Sequence, residues 1–171
     1  MPASSRGSAA DIPAAAALTK RVQRVHAEWR GEQRFESGRP DGPTAMFDGH
    51  ARAGQSPVDA LLSSLAACSG IDVVDILAKR RTPVSSLTID IVAQRREEPP
   101  RRVTRLDVTY RVDGEGIEKE HASRAVTLAF GKYCSVSASL AGDIEAYTIL
   151  VLNGTTFDPE RQQLWSTPGA V

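Results

Sequence analysis

SPVDALLSSLAACSGIDVV, residues 56–74, is the stretch that decides how this chain folds. Ser56 suits a helix N-cap, Pro57 suits the first helical position, and Asp59 stands three residues after the cap. That is a capping box with aspartate in place of glutamate. From Val58 to Ala78, apolar or tiny residues occupy most of the helical circumference. The spacing predicts a helix from about 57 to about 81, buried nearly all round, with Pro83 enforcing the stop. Ser63, Ser64, Ala66, Ala67 and Gly70 leave room for a neighbouring helix to approach closely, and Cys68 stands among them.

Upstream of this helix the signals are those of strands. Val25, Ala27 and Trp29 alternate with His26, Glu28 and Arg30, the period of a half-buried strand. Residues 34–36 and 44–48 read as two more short strands around the turn-dense Ser-Gly-Arg-Pro-Asp-Gly-Pro of 37–43, and 49–55 reads as a loop. Downstream, Leu87, Ile89, Ile91 and Ala93 share one face of a strand, and Leu106, Val108, Tyr110 and Val112 share one face of the next. Glu97-Glu-Pro-Pro-Arg101 is the turn of an antiparallel hairpin between them. A second helix is expected at about 119–132, with Ala122, Ala125, Val126, Ala129 and Phe130 on its apolar face, and a final strand at about 144–152. Strands, helix, strand pair, helix and strand make an α+β domain. Residues 1–18 read as a disordered tail, 19–154 as the domain, and 155–171 as an arm or loose tail.

At 171 residues and 41% hydrophobic, the chain is long enough to bury roughly two-thirds of its unfolded surface as one domain. Its 21 basic and 21 acidic side chains cancel, so charge gives no reason to expect nucleic acid or an anionic membrane as partner. No stretch is read as approaching the roughly 20 apolar residues of a membrane span, and the Ala/Ser-rich start lacks a signal-peptide core. A cytoplasmic location follows as the expectation. The cluster at Arg95, Arg96, Arg101 and Arg102 is interrupted by Glu97 and Glu98 and reads as a solvated, ion-paired hairpin end. His26, His50 and His121 have no metal-ligand spacing with one another or with the cysteines. No metal and no cofactor is expected.

Cys68 and Cys134 are the chain's two cysteines, too few for a disulfide scaffold. Each, taken alone, also fits a small buried apolar residue. A fold that brings the two helices together places both thiols within reach of one another, and in a reducing compartment such a pair is catalytic or regulatory rather than structural.

Three ordered segments, SPVDALLSSLAACSGIDVV (56–74), RREEPPR (95–101) and KYCSV (132–136), resemble the OsmC/Ohr superfamily of osmotically inducible and organic hydroperoxide resistance proteins. The resemblance covers about Trp29 to Leu152, and the Arg-Arg-Glu turn is similar to one branch of OsmC-like proteins. It implies an intertwined homodimer, with curved antiparallel sheets around two central helices and the two active sites at the subunit interface. It further implies that Cys68 attacks a small organic hydroperoxide and that Cys134 resolves the sulfenic acid as a disulfide, which a dithiol reductant then reopens. A glutamate near the start of the long helix and an arginine of the N-terminal hairpin assist in characterised members. Asp59 and Arg39 stand at or near those positions.

Both assignments have rival readings. Asp59 lies nine residues before Cys68, about half a turn away around an ideal helix, so it serves either as a cap or as an acid facing a partner subunit. Arg39 lies in a turn whose pattern Pro40 interrupts. Asp72, four residues after Cys68, shares its face and would raise the thiol pKa, which suits a structural role. Two further readings compete with the peroxidase: a non-catalytic protein holding an apolar or thiol-containing small molecule, and a redox sensor.

Overall fold

The computed structural model describes residues 22–164, which fall into two compact units divided between Pro57 and Val58. The tail expected at 1–18 and residues 165–171 of the expected C-terminal arm lie outside the described residues.

The first unit is a three-stranded antiparallel meander of β1 (His26–Trp29), β2 (Arg34–Gly38) and β3 (Thr44–Asp48). Gly31 has a φ of 90°, the left-handed conformation that glycine adopts without steric cost, and it reverses the chain between β1 and β2. The loop after β3 is organised by a residue the sequence reading passed over. The Asp48 carboxylate accepts from the backbone N–H groups of His50 (2.9 Å), Arg52 (3.2 Å) and Ala53 (3.0 Å). These bonds, that from Ala53 foremost, hold its carboxyl below the usual carboxylate range. The strands stand where alternation placed them, but β1 is not half-buried: all four of its residues are exposed, and Trp29 is 62% exposed. A lone three-stranded sheet has no second layer of its own to cover either face.

The second unit begins with α1 (Pro57–Lys79), followed by β4 (Ser86–Arg95), β5 (Val103–Asp113), α2 (Lys119–Leu128) and β6 (Glu145–Leu152). β4 and β5 form the expected antiparallel hairpin, paired from Ser86↔Asp113 to Arg95↔Val103. β5 and β6 are parallel, because the chain crosses through α2 before it re-enters the sheet beside β5. Residues 155–162, expected as arm or loose tail, carry two short strands, β7 (Thr155–Thr156) and β8 (Glu160–Gln162), both antiparallel to β6. The fold is α+β, with two helices on a largely antiparallel sheet.

The core follows the periods of the sequence. Leu106, Val108, Tyr110 and Val112 on β5 are fully buried, as are Ala122, Ala125, Ala129 and Phe130 of the second helical stretch. On α1 the buried positions are Leu65, Ser69, Gly70, Val73 and Leu77, a single stripe at helical spacing. Gly70 lies directly on β4, since a Cβ there would stand 2.9 Å from Ile89 Cδ1.

Two expectations about α1 fail on that stripe. The helix is not buried nearly all round: Leu61, Ile71 and Val74 lie on its other side, exposed by 41%, 65% and 37%. By length and composition α1 also qualifies as a membrane span, at 23 residues with a mean hydropathy of 1.7 over its most apolar 18. Serine, glycine and alanine spread among the leucines mask that apolar length when only unbroken aliphatic runs are counted. In the folded chain the stripe rests on the sheet, the arrangement of a core helix.

Candidate thiol site

Cys68 projects from α1 one position before the stripe residue Ser69 and is half-buried. Cys134 is reached by a change of pitch. α2 gives way at Ala129 to a five-residue π-helical turn, Ala129–Tyr133, and the Cys134 N–H bonds to the Ala129 carbonyl, five residues back, at 2.9 Å. The wider turn continues the apolar face of Ala122, Ala125 and Val126 with its own first residues, Ala129 and Phe130. Cys134 ends 1% exposed, at the same depth as that face.

The two free thiols are neighbours, with Cys68 within hydrogen-bonding reach of Cys134. Burial pushes the Cys134 thiol up. Hydrogen bonding from Ser137 pulls it down, and Cys68 adds a further upward push. Tyr110 of β5 also lies within electrostatic range of both sulfurs. Its phenol donates to Ser69 Oγ at 2.7 Å, and Ser69 in turn donates to the Leu65 carbonyl at 2.9 Å. Burial, above all, raises the Tyr110 pKa, so the ring stays a neutral donor. α1, β5 and the π-turn thus meet at one small cluster: two sulfurs near a chain of hydroxyl hydrogen bonds that ends on the Leu65 carbonyl.

Sequence reasoning singled out the cysteines and missed their supports. A tyrosine in a fully apolar register was the available signal, since a buried phenol must find a partner and Ser69 adjoins Cys68. Ser137 gave no signal before the course of the turn was known.

Of the other named residues in the same unit, neither Asp59 nor Asp72 joins this cluster. Asp59 is exposed in the first turn of α1, where a carboxylate favours the helix dipole. The helix runs unbroken from Pro57, so nine residues separate Asp59 from Cys68 by roughly 13 Å along the axis, on opposite sides. Asp59 therefore does not join the thiols of its own chain. Arg39 is an exposed turn residue of the first unit, its carbonyl accepting from Gly42 N–H at 3.1 Å. Asp72 is partly buried, its carboxyl raised first by burial and then by Asp75. It lines a cleft of about 450 Å³ between α1 and α2, with Ile76, Arg80, His121 and Tyr133. A second, open groove runs along α1 beside β4, over Ser63, Ala66, Ala67, Ile71 and Val74. Among the described residues no three His, Cys, Asp or Glu side chains cluster as a metal site would require.

Comparison with known proteins fixes the lineage of this arrangement. The profile of the OsmC-like protein family matches residues 48–148, a span that holds Asp59, both cysteines and the strands between them. The chain belongs to the OsmC-like family. Protein YhfA of Escherichia coli K12 is 36% identical over 100 residues, covering 58% of this chain and 75% of its own. Among solved structures, a hypothetical protein from Aquifex aeolicus VF5 is 30% identical with a TM-score of 0.70, over 77% of this OsmC-like chain and 96% of that one. The organic hydroperoxide resistance protein OhrB of Bacillus subtilis superposes with a TM-score of 0.52 over 77% of this chain and 98% of its own. At 19% identity that likeness speaks for the fold alone. β1, β2 and Arg39 precede the residues that the family profile matches.

Proposed function

We propose that this OsmC-like protein is a thiol peroxidase that reduces small organic hydroperoxides. The observation that carries the reading is the unequal pair: two free thiols side by side, Cys68 partly exposed and Cys134 fully enclosed. In the proposed cycle the Cys68 thiolate attacks the terminal peroxide oxygen, the O–O bond breaks, and the alkoxide takes a proton and leaves as the alcohol. Cys68 is left as a sulfenic acid. Cys134 attacks that sulfur, the S–O bond breaks, water leaves, and a disulfide forms. A dithiol reductant reopens it by exchange and becomes a disulfide itself, which suits a reducing, cytoplasmic setting. The working unit on this reading is a homodimer. The apolar outer side of α1, with Leu61, Ile71 and Val74 exposed, supports a second copy there, and an apolar surface of that kind favours organic peroxides over hydrogen peroxide. The roles expected of Asp59 and Arg39, an acid and a cation beside the departing alkoxide, belong to that dimer.

Purified protein is expected to consume cumene hydroperoxide with dithiothreitol as reductant. Cys68→Ser abolishes turnover, and Cys134→Ser leaves a sulfenic acid on Cys68 that a dimedone probe captures. Unchanged turnover in Cys68→Ser removes the assignment.

One pair of observations favours a second reading, in which the site holds an apolar or thiol-containing small molecule without turning it over. Asp59 is remote from Cys68 along α1, and among the described residues the groups that act on Cys134 include no cation. No peroxide consumption, together with a copurified small molecule in native mass spectrometry, would decide for binding.

A further inference from the structure

We infer that Ser137 is a positioning residue for the disulfide-forming step: it holds the Cys134 sulfur beside Cys68 and turns a hydroxyl proton onto that sulfur as it becomes a thiolate. The inference rests on the reading of Cys134 as the resolving thiol.

The geometry begins with the sequence Cys134-Ser-Val-Ser137, in which the short 3₁₀ turn Ser137–Ser139 starts three residues after the sulfur. Ser137 is 2% exposed. Its backbone N–H points at Cys134 Sγ, 3.4 Å away, within the range of a sulfur-accepted hydrogen bond. Its Oγ lies 2.5 Å from the Phe130 carbonyl and 2.9 Å from the Cys134 carbonyl, so one hydroxyl spans the π-turn from its second residue to the residue after its end. The same side chain also helps hold the Cys134 thiol down against the effect of burial. A hydroxyl has one proton to donate, and here two carbonyls hold it while the sulfur sits on the backbone N–H of the same residue.

Which acceptor wins depends on the state of the sulfur. A neutral thiol is a weak acceptor, so the proton goes to a carbonyl. A thiolate draws a charge-assisted hydrogen bond, roughly twice as strong as a neutral one, and the hydroxyl turns to it. The groups that act on Cys134 are Cys68 from α1 and Ser137 from its own turn. Tyr110 from β5 also faces it, with its phenol proton committed to Ser69. Lys132, two residues away, lies over the Tyr133 ring instead. Ser137 is thus the donor set that offsets burial at this sulfur, through one N–H that a side-chain substitution leaves in place and one O–H that it removes.

In the step itself, the Cys134 thiol gives up its proton and its sulfur attacks the Cys68 sulfenic acid. The S–S bond forms, the S–O bond breaks, and the hydroxide departs with a proton as water. The rate follows the thiolate fraction of Cys134. Losing the hydroxyl moves the Cys134 pKa further upward, so at a fixed neutral pH disulfide formation slows and its pH midpoint moves to higher pH.

The test uses the full-length protein, reduced and then treated either with cumene hydroperoxide or with the thiol oxidant diamide. Samples are quenched by alkylation at intervals and read by mass spectrometry. Diamide adds to an accessible thiolate, and the second thiol displaces the adduct, so this arm reports on Cys134 without requiring peroxidase chemistry. For Ser137→Ala the expected result is disulfide formation at least about threefold slower at pH 7, an upward shift of its pH midpoint, and accumulation of the singly modified Cys68 form. Ser137→Thr, which keeps the hydroxyl, restores the profile. If Thr fails to fold, the pH midpoint of Ser137→Ala still decides. A uniform slowing at every pH, or wild-type rates and midpoint in both arms, overturns the inference. A shift seen with diamide but no reaction with the peroxide leaves Ser137 in its role and sinks the peroxidase reading instead.

Discussion

The two sides of α1 carry similar residues and meet opposite surroundings. On one side Leu65, Ser69, Val73 and Leu77 are fully buried over the five-stranded sheet, and Gly70 lies on Ile89. On the other, Leu61, Ile71 and Val74 face outward with no layer of the same unit over them. The difference teaches that apolar composition around a helix reports how much surface must be covered, whereas the chain's own strands decide which part they cover. The second part is left for something else, and Cys68, half-buried, belongs to the border between them. On the proposed peroxidase reading such a border serves a catalytic thiol, within reach of a substrate from one side and of an enclosed partner from the other.

Substitutions on each side make that contrast measurable. Leu77→Ala, at a fully buried position, is expected to cost about 2–5 kcal/mol in urea unfolding, the transfer of the side chain plus the cavity left behind. A cost below about 1 kcal/mol would mean that the inner stripe does not hold α1 to the sheet. On the outer side, Ile71→Glu is expected to leave helix content by circular dichroism unchanged and to weaken self-association at least about tenfold, near 1.4 kcal/mol. Sedimentation that shows equal association in variant and parent would rule out the outer side of α1 as the interface of the proposed dimer. The smallest effect is Tyr110→Phe, which removes a phenol proton from Ser69 while Ser69 keeps its own bond to Leu65. About 1 kcal/mol of stability is expected to go, because a buried hydroxyl loses one of two partners.

How far the sequence could be read follows the same line. β4, β5 and α2 were legible because each has one buried side, and a single apolar period then names both the element and its direction: Leu87 to Ala93, Leu106 to Val112, Ala122 to Phe130. β1 was legible as a strand and misread as half-buried, since alternation in Val25, Ala27 and Trp29 says nothing about whether a covering layer exists. β7 and β8 are too short for any period, and their pairing with β6 is a tertiary event. The parallel pairing of β5 and β6 is set by a crossover through α2, which only the assembled sheet reveals. At the candidate site the two cysteines stood out by their segments. Ser69, Tyr110 and Ser137 did not, because a hydroxyl acquires its meaning from what it faces. Helical geometry sets Asp59 nine residues and half a turn from Cys68, and α1 is continuous over that span.

The change of pitch after Leu128 separates two tasks that a continuous α-helix would bind together. Everything up to that residue keeps its seat on the sheet by ordinary spacing. The depth and heading of the sulfur beyond it depend on how many residues the last loop of the spiral contains. Lengthening or trimming that loop by one amino acid re-aims Cys134 while the seated portion stays where it is, so this scaffold can gain or lose its second thiol without being rebuilt.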